Sequence, residues 1–237
     1  MEKFSASRAE RLMNCTASGD LERAIPNYAP PVIDPNATNA ATRGTKMHEL
    51  FAAVATLKPS EMKAFVEAMT YVSNLRSQRR FTVLSEQTEI ADWLPRPVPT
   101  TADLVLYTQD ELHIVDFKWG KIFVEVVDNE QLLYYAATYA KKAPRATQVT
   151  MHIVQPNADN IASWTVDTLD LAAFMGRATV AQDKLFNGQL DFMPGDHCTF
   201  CPAYPHSRAA KGSVMCPVTM ELLYPAPFDE AALLEED

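Results

Sequence analysis

No stretch of eighteen consecutive apolar residues occurs in the sequence, which excludes a transmembrane helix of ordinary length. The opening MEKFSASRAERLMN has no apolar core of the kind a secretory signal needs. A soluble, cytoplasmic protein with no membrane partner is therefore expected. An excess of positive charge is missing too: 21 Lys and Arg stand against 30 Asp and Glu, a formal net charge of −9. A chain of that sign does not coat nucleic acid indiscriminately. Cysteine is scarce, with four residues, and disulfides are not expected in a cytoplasmic chain. Internal repeats and low-complexity tracts are absent, and 237 residues suffice for one domain with a full core.

The charge that is present is unevenly spread. Residues 1–90 carry eleven Lys or Arg against ten acids, whereas residues 91–237 carry ten against twenty, five of the acids lying in the last ten residues. That distribution leaves room for a local basic groove near Arg43, Lys46, Arg76, Arg79 and Arg80. It also marks residues 218–237 as an acidic tail behind a single domain over residues 1–217.

The most informative stretch is TADLVLYTQDELHIVDFKWG, residues 101–120. Two runs rich in Leu, Val, Ile, Phe and Tyr, residues 102–107 and 112–119, flank the polar residues Thr108, Gln109, Asp110 and Glu111, as a hairpin requires. Pairing Tyr107 with Leu112 would set Asp103 opposite Asp116, with Cβ atoms roughly 4.5–5.5 Å apart. Because side chains alternate along a strand, Lys118 would emerge on the Asp116 face roughly 7 Å further on. Both strands are otherwise apolar, and charges buried in such a place are costly unless paired or metal-bound.

Around the hairpin, helical patterns are read over residues 5–24, from Ala41 to before Pro59, and from Ser60, with Ser60 as the cap. Residues 81–90 read as a strand containing Glu86, and residues 92–100, with Pro95, Pro97 and Pro99, as a connecting loop. Strand-like residues 122–127 precede a helix over residues 130–142, where Gln131 and Tyr135, four apart, share a face. Strands over residues 147–154 and 163–166 and a helix over residues 169–187 complete an α/β (α+β) chain: a central mixed sheet flanked by helices.

Cys15 stands alone near the start, and Cys198, Cys201 and Cys216 crowd the end. Thiolates two residues apart on a turn can share a metal, and four thiolates suit either zinc or an iron–sulfur cluster. His197 and His206 are alternative zinc ligands.

Taken as a spaced series, Gly44, Thr45 and His48, then Asp103, then Asp116-x-Lys118, then Gln131-x-x-x-Tyr135, the sequence resembles the RecB-like branch of the PD-(D/E)XK nuclease superfamily. Within it, the chain is similar to phage-type members that carry one N-terminal cysteine and a C-terminal cysteine cluster. The resemblance implies a metal-dependent DNA nuclease, an exonuclease or end-processing enzyme of viral recombination or replication, working in the host cytoplasm with DNA and phage recombination or replication proteins as partners. It implies that Asp103, Asp116 and the Phe117 carbonyl hold Mg2+ or Mn2+, with His48 as a further ligand. Lys118 would position or deprotonate the attacking water, Gln131 and Tyr135 would bind the DNA backbone or orient Lys118, and Glu86 is a further acid near the site. Cys15, Cys198, Cys201 and Cys216 would hold a 4Fe-4S cluster joining the chain ends, with Zn2+ as the alternative. Two other readings stay open: a non-catalytic DNA-end or partner-binding module that keeps the fold, and a metalloprotein for redox sensing.

Overall fold

The computed structural model describes residues 5–25, 58–205 and 216–218. The chain divides into two compact units, one of residues 3–9 and 29–179, the other of residues 1–2, 10–28 and 180–237. The described helices are α1 (Ala9–Asn14), α2 (Ala17–Ala24), α3 (Pro59–Ser77), α4 (Glu130–Tyr139) and α5 (Thr168–Phe186). The strands are β1 (Thr82–Ala91), β2 (Val98–Tyr107), β3 (Leu112–Phe117), β4 (Gln148–Gln155) and β5 (Asn160–Asp167).

The larger unit is a five-stranded mixed sheet of order β1-β2-β3-β4-β5. Neighbouring strands are antiparallel except β3 and β4, which run parallel. A parallel pair needs a crossover, and α4 supplies it. Strand β3 at the centre is buried at every position but His113 because both of its faces are covered.

One face of the sheet packs on α3. Ala64, Phe65, Ala68, Val72 and Leu75 recur at helical spacing and meet Leu104, Leu106, Val115, Phe117, Trp119 and Val154 in a single buried cluster. Each fully buried large apolar side chain there stabilises the fold by about 1.5–3 kcal/mol. Residues of the opposite parity, Asp103, Val105, Ile114 and Asp116, belong to the other face, and α4 contacts β1 to β4. From Leu132 to Tyr139 every residue of α4 is buried. Tyr139 ties the helix to the sheet, its hydroxyl accepting from the Ala102 amide at 3.3 Å and donating to the Gln87 carbonyl at 2.5 Å.

Several local expectations need correction. The N-terminal helical run breaks at Cys15 and Thr16, giving α1 and α2. Helix α3 begins at Pro59 rather than Ser60: proline is pre-organised for a first helical position, and the Glu61 carboxylate accepts from the Lys58 amide at 2.9 Å. Strand β2 starts at Val98, inside the proline-rich stretch. Its pairing with β3 covers only Leu104 to Tyr107, so Pro99 sits where β2 has β1 alone as a neighbour, and its missing N–H is tolerated. Residues 122–127 form no strand. Their backbone is taken by side chains instead: Gln155 donates to the carbonyls of Gly120 at 3.0 Å and Ile122 at 2.6 Å and accepts from the Val124 amide at 3.1 Å. Asn160 donates to the Val124 carbonyl at 2.8 Å.

On the α3 face a polar chain runs through the core. His113 Nδ1 lies 3.0 Å from His152 Nε2, and His152 Nδ1 lies 2.8 Å from the Tyr71 hydroxyl. Burial, and secondarily the charge of His113, pushes the His152 imidazole down to about 3, and burial lowers His113 as well. Both rings are therefore neutral in the fold, whereas an unfolded histidine takes up a proton below about pH 6.5. A depressed folded value makes the contribution to stability complete above pH 6.5 and progressively lost as pH falls toward 3. Urea unfolding should show about 2 kcal/mol less stability at pH 5 than at pH 6.5, and His152→Gln should flatten that dependence. Equal wild-type stability at the two pH values would contradict the buried neutral pair.

Candidate functional site

Hairpin register is what brings the candidate acids onto one face. Tyr107 pairs with Leu112, followed by Leu106 with His113, Val105 with Ile114 and Leu104 with Val115. The ladder stops there, one step short of an Asp103–Asp116 pair. At that step the Asp103 carboxylate accepts the Phe117 amide at 2.7 Å, so a side chain takes the place of the next backbone bond. Asp116 and Phe117 continue instead on the β4 side, opposite Ile153 and Val154.

Asp116 is 3 % exposed. Its Oδ2 has no hydrogen bond of acceptable angle, yet stands 2.8 Å from Lys118 Nζ, so the contact is an ion pair in a place with little water. Lys118 Nζ also donates to Gln131 Oε1 at 2.9 Å, and Gln131 Nε2 donates to the Tyr135 hydroxyl at 2.9 Å. An ammonium group can only donate, which fixes the Gln131 oxygen toward Lys118 and its amide nitrogen toward Tyr135. Burial raises the Tyr135 phenol well above its ordinary value, and the charges of Asp116 and Asp103 add to the rise. Tyr135 is accordingly a neutral hydroxyl at any physiological pH.

Four of the anticipated site residues, Asp116, Lys118, Gln131 and Tyr135, thus form one hydrogen-bonded and ion-paired chain. Asp103 joins them through the Phe117 amide and its electrostatic action on Tyr135. Glu86 lies on β1 between Ser85, paired with Leu104, and Gln87, paired with Ala102, so it occupies the position facing Asp103. Its φ of 50° is rare for a residue with a side chain, and such strain concentrates at functional sites. His48 lies outside the described residues, as do Arg43 and Lys46. Arg79 is engaged with Asp110 and Glu111 at the hairpin loop.

Asp103 and Asp116 supply oxygen donors, the kind that Mg2+ and Mn2+ favour, and the buried, weakly bonded Asp116 oxygen fits such an ion. Among the described residues no group of three or more His, Cys, Asp or Glu is arranged to hold a metal ion.

The smaller unit carries the cysteines. Cys15, Cys198, Cys201 and Cys216 all line one pocket, together with Arg11, Met193 and His197. The ring nitrogen of His197 contacts the Met193 carbonyl at 2.8 Å. The Cys216 amide donates to the Ala203 carbonyl at 3.0 Å, holding that segment in place. Burial raises the thiols of Cys15 and Cys201. Thr16 braces the same unit, donating to the Gln189 carbonyl at 2.9 Å and accepting from the Asp191 amide at 3.0 Å. Gly19 allows α2 to approach closely, since a Cβ there would meet Leu185 at 2.8 Å.

Sequence reasoning missed Arg11 and Glu22, which form a buried ion pair at 2.6 Å beside the cysteines. An isolated Arg and Glu eleven residues apart give no periodic signal. It also missed Gln155 and Asn160, whose partners lie more than thirty residues away.

The fold defines an α/β protein with a mixed five-stranded sheet flanked by helices. A protein from Eubacterium rectale described as a candidate exonuclease superposes with a TM-score of 0.52 at 11 % identity, covering 94 % of each chain. An alkaline exonuclease from Laribacter hongkongensis gives 0.39 at 11 % identity over 79 % of this chain and 89 % of that one. The protein SSO0001 gives 0.41 at 14 % identity over 86 % of each. The chain belongs to the DUF2800 family, described as a protein of unknown function, whose profile matches residues 58–235.

The Asp116–Lys118 pair yields a stability test. Lys118→Met strands a buried carboxylate and should destabilise by about 3 kcal/mol, while adding Asp116→Asn should recover part of the loss. A double-mutant cycle should give a coupling of about 1–3 kcal/mol, and additive effects would mean that the pair does not form.

Proposed function

We propose that this protein is a divalent-metal-dependent deoxyribonuclease, an exonuclease or end-processing enzyme that hydrolyses phosphodiester bonds. The observation that carries the reading is the convergence of Asp103, Asp116, Lys118, Gln131 and Tyr135 on one sheet face beneath α4. Likeness of fold to the Eubacterium rectale protein supports it. A buried carboxylate, Asp116, beside the half-buried Lys118 is costly as packing, and a site for a metal ion and a phosphate gives it a use.

Asp103, Asp116 and the Phe117 carbonyl would hold Mg2+ or Mn2+. Bound there, the ion supplies Lewis-acid polarisation of the phosphate and lowers the pKa of a water. Asp116 keeps Lys118 at the reacting centre. One Nζ donor is committed to Gln131 and the ammonium is ion-paired with Asp116, so a further donor serves the attacking water or a phosphate oxygen. Positive charge at that point offsets the charge that develops on the phosphate in the transition state. Gln131, fixed between Lys118 and Tyr135, restricts the lysine to one direction.

Linear DNA incubated with the protein and Mg2+ or Mn2+ should be degraded, and chelation should stop the reaction. Asp116→Asn should lower the rate at least about a hundredfold, and Tyr135→Phe, which removes only an orienting hydroxyl, far less. Folded wild-type protein that degrades neither single- nor double-stranded DNA with either metal would refute the enzyme reading.

The four cysteines are proposed to hold a 4Fe-4S cluster, with Zn2+ as the alternative occupant. Four thiols lining one pocket are a ligand set that either group can use. Such a group would fasten residues more than 180 apart, and structural metal binding is itself folding free energy. Anaerobically purified protein should be brown and contain iron in stoichiometric amount, and Cys15→Ala should lose that iron and open the C-terminal segment to proteolysis. Absence of both iron and zinc from such protein would refute a shared site.

A further inference from the structure

Residues 119–130 leave the site at Lys118 and return to it at Gln131, the two ends being tied by the Lys118–Gln131 hydrogen bond of 2.9 Å. The loop so closed carries Ile122, 53 % exposed, and Phe123, 61 % exposed. The backbone that carries them is clamped. Gln155 is 1 % exposed and Asn160 is 5 % exposed, and they bind the carbonyls of Gly120 and Ile122 and both backbone groups of Val124. Asn157 adds a bond to the Trp119 carbonyl at 2.9 Å. Buried amides therefore hold an apolar tip out in water, an arrangement that the packing of the sheet does not need.

We infer that Ile122 and Phe123 form a stacking platform for unpaired nucleobases of the strand whose phosphate sits at Lys118. The inference rests on the nuclease reading and extends it to a substrate class: DNA with a single-stranded or frayed end. Five residues of fully extended chain span at most about 18 Å, so the platform lies within a few nucleotides of the cleavage point. Every base has a π face, so such contacts add affinity without sequence preference. They also add it without positive charge, which suits a chain of net charge −9. The loop's acids, Glu125, Asp128 and Glu130, all follow the tip, Glu125 Oε1 being turned to the amides of Val126 and Val127, while Lys121 stands directly beside Ile122. A protein partner would be an alternative occupant, but the loop begins one residue after Lys118, inside the candidate DNA site.

The test uses the full chain in an Asp116→Asn background, which blocks cleavage, with a fluorescent single-stranded oligonucleotide and a duplex closed by hairpins at both ends. Phe123→Ala should weaken single-strand binding about tenfold and leave binding to the closed duplex within twofold. Phe123→Trp should retain single-strand affinity, which controls for folding. Since stacking releases no counterions, the slope of log Kd against log salt should be the same with and without Phe123. Unchanged single-strand affinity in Phe123→Ala, an equal loss on the closed duplex, or a change of association state in place of DNA affinity would each overturn the platform. Failure of the nuclease reading has a different signature, in which the wild type neither binds nor degrades DNA.

Discussion

Everything at the candidate site depends on one constraint: Asp116 is a carboxylate with almost no access to water, placed in the central strand of the sheet. A charge there must be compensated locally. Lys118, two residues on and so on the same side of the strand, is the compensation. Its ammonium is in turn fixed by Gln131, and Gln131 by Tyr135, so one buried acid sets the orientation of side chains on two elements. The parallel pairing of β3 with β4 makes this arrangement possible, because it requires α4 to cross over the face that Asp116 occupies.

Much of this was legible in the sequence, for identifiable reasons. Two apolar runs around a four-residue polar loop left few registers for the hairpin, and Tyr107 with Leu112 is the one observed. Given that register, alternation along β2 and β3 assigns Asp103, Asp116 and Lys118 to one face with no knowledge of tertiary structure. Gln131 and Tyr135, one helical turn apart, were legible on the same principle. What parity does not reveal is that the ladder ends before the acids meet, with Asp103 turning to the Phe117 amide.

The misread segments share a physical cause: their backbone partners are distant in sequence. Residues 122–127 have strand-like composition, but their amides and carbonyls go to Gln155 and Asn160, so no neighbouring strand is needed. Pro99 looked like a loop residue because proline is excluded from paired strands, yet β2 is paired on one side only at that end. The Tyr71–His152–His113 chain, with His152 buried at its centre, likewise joins three elements and leaves no local trace.

The two faces of the sheet now show a division of labour that follows from solvation. On the α3 face the polar groups are imidazoles and a phenol, which are stable when neutral and satisfy one another. On the α4 face they are carboxylates and a lysine, ionic groups of which Asp116 and Lys118 are paired with each other. A neutral network can be closed on itself and serve stability alone. A charged one has a high cost of burial and gains most from a further ionic ligand, so the α4 face is where the physical argument for chemistry is strongest. The loop that joins Lys118 to Gln131 leaves from this charged face, and the amides of Gln155 and Asn160 fix its course. Fixing it in advance reduces the ordering entropy that binding would otherwise have to overcome.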